Sequence, residues 1–102
     1  MKPVKFLPEA EEELIEAAKY YESQASGLGI DFLNMVERTV DYIKEAPERW
    51  PYIEGKNKKV RKHLVRKFPF GVFYSNELDE IVVHAIAHLH RKPGYWKKRK
   101  VN

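Results

Sequence analysis

Residues Ile81 to Ala87, IVVHAIA, form a nearly unbroken apolar run with His84 at its centre. Seven residues are too few for a membrane span, and β-branched side chains dominate the run. Apolar character at odd and even positions alike predicts a strand buried on both faces, so a central one. Directly after it the sequence turns polar and basic at His88-Leu89-His90-Arg91, breaks at Pro93-Gly94, and continues through Tyr95-Trp96 into Lys97-Lys98-Arg99-Lys100. The expectation is a buried strand that delivers His88, His90 and Arg91 to its exposed C-terminal end.

The rest of the chain must supply cover for that strand. Lys2 to Phe6 alternates, with Val4 and Phe6 on one side, and predicts a short strand. Pro8 suits the first turn of a helix, where its missing N–H is not needed, and Glu9, Glu11, Glu12 and Glu13 complement the helix dipole. Helical spacing of Leu14, Ala18, Tyr21 and Ala25 predicts a helix from Pro8 to about Gln24. After the break Ser26-Gly27-Leu28-Gly29, the apolar face Phe32, Leu33, Val36, Val40 and Ile43 predicts a second helix from about Ile30 to Glu45, stopped by Pro47. Two amphipathic helices joined by so short a loop form an antiparallel hairpin. The acidic residues of both helices are expected on exposed faces or as dipole partners.

Ala46 to Lys59 is expected to be loop, with Trp50 and Tyr52 covering an edge of the core. From Val60 the period changes to two, and Val60 to Arg66 predicts a strand. Phe70 to Tyr74 predicts another, Ser75 to Glu80 a turn, and Ile81 to Ala87 the third strand of an antiparallel meander. The class is α+β: an N-terminal strand, a helical hairpin, then a three-strand meander, with the N-terminal strand able to join the same sheet. At 102 residues, 43% hydrophobic and 13% aromatic, the chain is expected to be one domain spanning 1–102 with its own core.

Charge divides the chain. Residues 1–54 hold 6 Lys/Arg and 12 Asp/Glu, a net of −6, and residues 55–102 hold 13 and 3, a net of +10. A basic half of this strength fits a polyanion or an acidic protein partner. No cysteine is present, which removes disulfides, thiolate ligands and thiol nucleophiles. The opening MKPVKFLPEAEEEL lacks the apolar centre of a signal peptide, and no run of about 18 apolar residues occurs, so no membrane partner is expected and the cytoplasm is the default location.

Candidate chemistry narrows by elimination. On a strand, His84 and His88 stand about 13 Å apart and cannot share an ion. His88 and His90 would share a face but lack further ligands, so no metal and no cofactor is expected. His84 fits better as a hydrogen-bonded sheet residue. Ser23, Ser26 and Ser75 sit in helix-end or turn contexts, and Gly27 and Gly29 lack the lysine of a phosphate loop. What remains is Lys58, Lys59, Arg61, Arg66, His88, His90, Arg91 and Tyr95, a basic cluster without a nucleophile of its own. Such a set suits RNA cleavage, in which the 2′-hydroxyl attacks, histidine takes its proton and arginines stabilise the phosphorane. Tyr95 or Trp96 would stack on a base. It suits equally a partner-binding surface with no turnover.

The ordered set of motifs resembles the RelE/ParE superfamily of bacterial toxins, the growth-inhibiting halves of type II toxin–antitoxin systems. The resemblance runs through Tyr20-Tyr21, Gly27-Leu28-Gly29, Phe32, Pro47, Val60-Arg61-Lys62, Arg66 to Phe70 and Tyr74. It is densest from His88 to Arg99. It implies a helical hairpin on a small antiparallel sheet and an acidic antitoxin as partner. RelE-like members cleave mRNA on the ribosome, whereas ParE-like members inhibit DNA gyrase, and the pattern from His88 to Trp96 looks closer to the latter. If the chain is RelE-like, the resemblance implies a metal-independent endoribonuclease with Arg61, Arg66, His90, Arg91 and Tyr95 as catalytic residues. On either reading, nucleic-acid or target binding is expected of Lys58, Lys59, His88, Trp96, Lys97, Lys98 and Arg99.

Overall fold

The computed structural model describes residues 1–53, 59–92 and 94–100. In chain order it runs β1 (Val4–Phe6), α1 (Pro8–Gln24), α2 (Leu28–Glu45), β2 (Val60–Leu64), β3 (Phe70–Asn76) and β4 (Ile81–His88). The sheet order is β1-β4-β3-β2, with β1 parallel to β4 and the other neighbours antiparallel. The expected α+β architecture is therefore present. The apolar run does lie at the centre of the sheet, and seven of the eight β4 residues are buried.

Pro8 opens α1 without loss of a hydrogen bond, with Glu9 and Glu11 in the first turn. The second helix starts at Leu28, two residues earlier than its apolar spacing suggests. The reason is Glu22 of α1, whose carboxylate accepts the N–H groups of Gly27 and Gly29 at 3.0 to 3.1 Å and so satisfies donors of the nascent helix. Gly27 takes the left-handed conformation at φ 88°. Gly29 lets the helices approach, because a Cβ there would stand 2.7 Å from the Ala18 carbonyl oxygen.

The hairpin packs on one face of the sheet. Phe32, Val36 and Ile43 of α2 join Val72, Tyr74, Val83 and Ile86 in one core. Edge-to-face contacts of Phe32 with Phe68 and Phe70, and of Tyr21 with both, fasten the helices to the β2–β3 turn. The Tyr74 hydroxyl donates to the Pro47 carbonyl at 2.7 Å, which holds the end of α2.

The other face has a cover that the sequence pattern did not reveal. Val60, Ala85 and Ala87 form a second, smaller core beneath Trp96, with Ile53, Phe73 and Tyr95 against it. A β-bulge makes this possible. Tyr74 pairs with Val83 and Phe73 with Ala85, so the backbone register with β3 skips His84, and the extra residue re-aims the side chains that follow. The strands on either side also run longer than expected. β3 continues through Ser75 and Asn76, because the Ser75 hydroxyl and His84 Nε2 share a hydrogen bond at 2.8 Å, and the turn shrinks to Glu77–Glu80. β2 is shorter, ending at Leu64. Leu64 is exposed although Val60 on the same face is buried, because the Trp96 core includes Val60 alone of the β2 residues.

Ile86 is 1% exposed within the helix-side core. Ile86→Asp places an unpaired carboxylate there, with the Glu13 carboxylate already on the same residue's N–H. A loss of about 3–5 kcal/mol is expected, read as a collapse of the thermal unfolding transition. A near-wild-type melting temperature would mean that the site is wet.

Candidate functional site

The surface that the sequence singles out is built at the C-terminal end of β4. There the chain turns, with the Arg91 N–H donating to the His88 carbonyl at 3.0 Å. The His90 N–H donates to His88 Nδ1 at 3.1 Å, and the two imidazole rings meet edge to face at 5.0 Å. His88 also packs its ring on Phe70. His90 and Arg91 project into solvent.

Beyond Gly94 the chain folds back across the sheet, and one carboxylate holds it there. Glu13 of α1 accepts from Arg99 at 2.7 and 3.0 Å, from the Tyr95 hydroxyl, and from the Ile86 N–H at 3.2 Å. Arg99 also donates to the His84 carbonyl at 2.8 Å. The Arg91 guanidinium lies 3.8 Å from Glu13 and 3.8 Å from the Tyr95 ring centroid, with 56% of its side chain still exposed. Arg99 and Glu13 are only 14% and 15% exposed, so their attraction is little screened.

This arrangement fixes protonation states. Burial, and then the hydrogen bond and charge of Glu13, push the Tyr95 phenol up to about 12. Its proton is committed to Glu13, which makes it a poor acid or base near neutrality. The Glu13 hydrogen bonds raise the Arg99 guanidinium further above its ordinary range. At the bulge itself, burial lowers His84 below its usual value; the Glu77 charge opposes the shift and the Arg99 charge adds to it.

The candidate residues do not converge on one point. Arg61 pairs across the sheet with Tyr74, and Tyr74 with Val83, whereas His88 is five residues further along β4, roughly 16 Å away. Its guanidinium donates to the carbonyls of Glu48 and Trp50 at 3.1 and 2.7 Å and lies over the Tyr52 ring, pinning the segment before β2. Trp50 packs on His63 and Tyr52 bridges to Arg61, so both do lie over the edge of the sheet. Arg66 and Lys59 are exposed on β2's flanks, and Lys97 and Lys98 are exposed on the returning segment. Lys58 lies outside the described residues. Two assignments change. Trp96 is 2% exposed against Phe73 and His84, so it is a core residue and offers no face to a base. Arg99 is a structural partner of Glu13 rather than a surface cation. Glu13 itself, expected on an exposed face, turns inward. Its partners stand 73 to 86 positions away, and no local spacing signals them.

Among the described residues no three His, Asp or Glu side chains come together as metal ligands, and no helix is long and apolar enough to cross a membrane. What the surface does offer is a groove of about 600 Å³ between the returning segment and the open sheet face.

His84 gives a pH signature. Held below 6.5 in the fold and free to titrate normally when unfolded, it binds its proton preferentially in the unfolded chain. Stability from this group is present above 6.5 and is lost as pH falls below it, with a slope of up to one proton. His63, lowered by burial, adds in the same direction. Unfolding free energies measured between about pH 5 and 8 should rise with pH, and His84→Gln should flatten the slope. An unchanged slope in the variant would remove His84 as the cause.

No family model matches the chain, and no curated protein matches it. Among solved structures it is similar to a chain of one titled "Chromosomal ParDE TA system from P. aeruginosa", with a TM-score of 0.72 at 16% identity, covering 86% of this chain and 96% of that one. At such low identity the agreement is one of architecture: the chain shares the α+β fold of that structure, a strand and a helical hairpin packed on a small sheet.

Proposed function

We propose that this chain is the growth-inhibiting toxin of a type II toxin–antitoxin system, that it is ParE-like, and that it acts on DNA gyrase in the cytoplasm under the control of an acidic antitoxin. The likeness to a chain of a ParDE system supports the general reading. One observation favours gyrase over mRNA cleavage. Two of the five catalytic candidates are occupied: Tyr95 is held by Glu13 and Arg61 by the carbonyls of Glu48 and Trp50. Arg66, His90 and Arg91 are exposed, but Arg61 stands well away along the sheet from the end of β4 that carries His90 and Arg91. A nuclease needs such groups free and convergent on one phosphate. A protein that grips a target surface needs only an exposed cationic face, which Arg91, Lys97 and Lys98 supply.

Expression of the chain should arrest bacterial growth with mRNA intact, and the purified protein should abolish gyrase supercoiling or trap cleaved DNA. Transcripts cut within translated codons would instead support a ribosome-dependent endoribonuclease. Unchanged growth with folded protein present would favour a non-toxic nucleic-acid-binding relic of the fold. Arg91→Ala should abolish the arrest while leaving the melting temperature nearly unchanged, since its side chain is 56% exposed. A fully toxic variant would move the active surface elsewhere.

A further inference from the structure

The turn between β3 and β4 carries a large apolar side chain that the fold leaves uncovered. Leu78 is 91% exposed there, between Glu77, Asp79 and Glu80. The Glu77 N–H donates to the Glu80 carbonyl at 2.9 Å and closes the turn, and Lys2 Nζ donates to the Glu77 carbonyl at 2.6 Å. The tip is therefore held in shape, with one leucine among three carboxylates. The groove at the far end of β4 has the opposite make-up. Ile53, Phe73 and Ala87 give it apolar surface, Lys62, Arg91 and Lys97 give it positive charge, and among the described residues no carboxylate lines it. We propose that these two surfaces are partners: the Leu78 tip of one copy of this chain seats in the groove of a second copy, and the protein associates with itself head to tail.

A chain cannot fill its own groove. The tip follows the Asn76–Ile81 pair, whereas the groove lies beside Ala87 and His88, at the Phe70 end of the same hairpin. Seven residue steps from Ile81 to His88 separate the two by roughly 24 Å. The contact joins unlike surfaces, so each copy that offers its tip still has a free groove. Association of this kind extends from copy to copy and does not close as a two-fold dimer does. A hairpin tip covers little area, which makes the contact weak and dependent on concentration. Burial of Leu78 supplies the attraction, and the carboxylates against the cations set the approach and the orientation.

The acidic helices offer a rival. Ile15 of α1 lies among Glu11, Glu12 and Glu16 and is 47% exposed. It sits on a helix about 10 Å across, however, while two strands at a turn stand about 5 Å apart, so the hairpin is the narrower insert. The proposal needs only the chemistry of the two surfaces and does not depend on the toxin reading. Where that reading holds as well, a filled groove covers Arg91 and Lys97, and self-association competes with the target.

The test is sedimentation velocity and backbone amide NMR on the full chain, in a dilution series at low and at high salt. The mean sedimentation coefficient should rise with concentration and fall with added salt, as expected for exposed charges. The amides that move on dilution should be those of Glu77 to Glu80 together with Phe73, Ala87, Leu89 and Lys97. Leu78→Ala should weaken association by about tenfold, and Ile15→Ala should leave it unchanged. Asp79→Lys with Glu80→Lys should be monomeric, and so should Lys62→Glu with Lys97→Glu. An equimolar mixture of those two double variants should associate again, because each brings the surface the other has lost. Lys19→Glu with Arg38→Glu, the same change of net charge on exposed helix positions, should associate as the unaltered chain does. A protein that stays monomeric at its highest soluble concentration would overturn the proposal. So would dilution shifts on the helices, or a mixture of the two double variants that remains monomeric.

Discussion

A single desolvated carboxylate organises the surface of this protein. Glu13, 15% exposed, accepts from two nitrogens of Arg99, from a phenol and from a backbone N–H, and it comes within ion-pair distance of a second arginine. A charge withdrawn from water is tolerated only when its lone pairs are met in this way, and removal of one member strands the others. The interaction therefore joins α1, the open edge of β4 and the returning segment as one unit. Without it the segment above the second core has no polar anchorage to the helices among the described contacts.

That anchorage is needed because β1 is short. It pairs only with Ile81 to Val83, so the outer edge of β4 continues bare beyond it. Two backbone groups on that edge, the His84 carbonyl and the Ile86 N–H, are taken by Arg99 and Glu13. Side chains thus complete what a longer first strand would have done, and they close an edge that is otherwise a template for unwanted pairing. The bulge at His84 is part of the same solution, since the extra residue sits between the partners Val83 and Ala85 where the ladder changes register. The division of charge along the sequence acquires a spatial meaning here. The acidic helices and the basic sheet face meet at Glu13, and the remaining cations are left to look outward.

Much of the architecture was legible because it depends on local pattern. Ile81 to Ala87 reads as a central strand since a run apolar at odd and even positions alike must be covered on both sides. The helices read from their spacing, from Pro8 and from Pro47. The discrepancies mark where tertiary partners act. Glu22 starts α2 early, and the Ser75–His84 hydrogen bond lengthens β3 at the expense of the turn. The site was less legible. Tyr95 and Arg99 look like free surface groups in a basic stretch, and the lysines around Trp96 disguise a core residue. Glu13 is one of several acidic residues in a helix's first turns, and nothing near it in sequence distinguishes it. What separates it from Glu9, Glu11 and Glu12 is the identity of residues more than seventy positions away.

The same separation has a kinetic side. The helical hairpin is built from neighbours in sequence and can form while the chain is still being synthesised. The parallel β1–β4 ladder and the Glu13–Arg99 pair cannot, since the latter joins residues 86 positions apart. Contacts of that span close late and slow folding. A nascent chain therefore shows its acidic helices first and completes its basic, grooved face only once Arg99 has emerged. In the order of synthesis the grooved face is finished only after the helices that carry its carboxylate anchor.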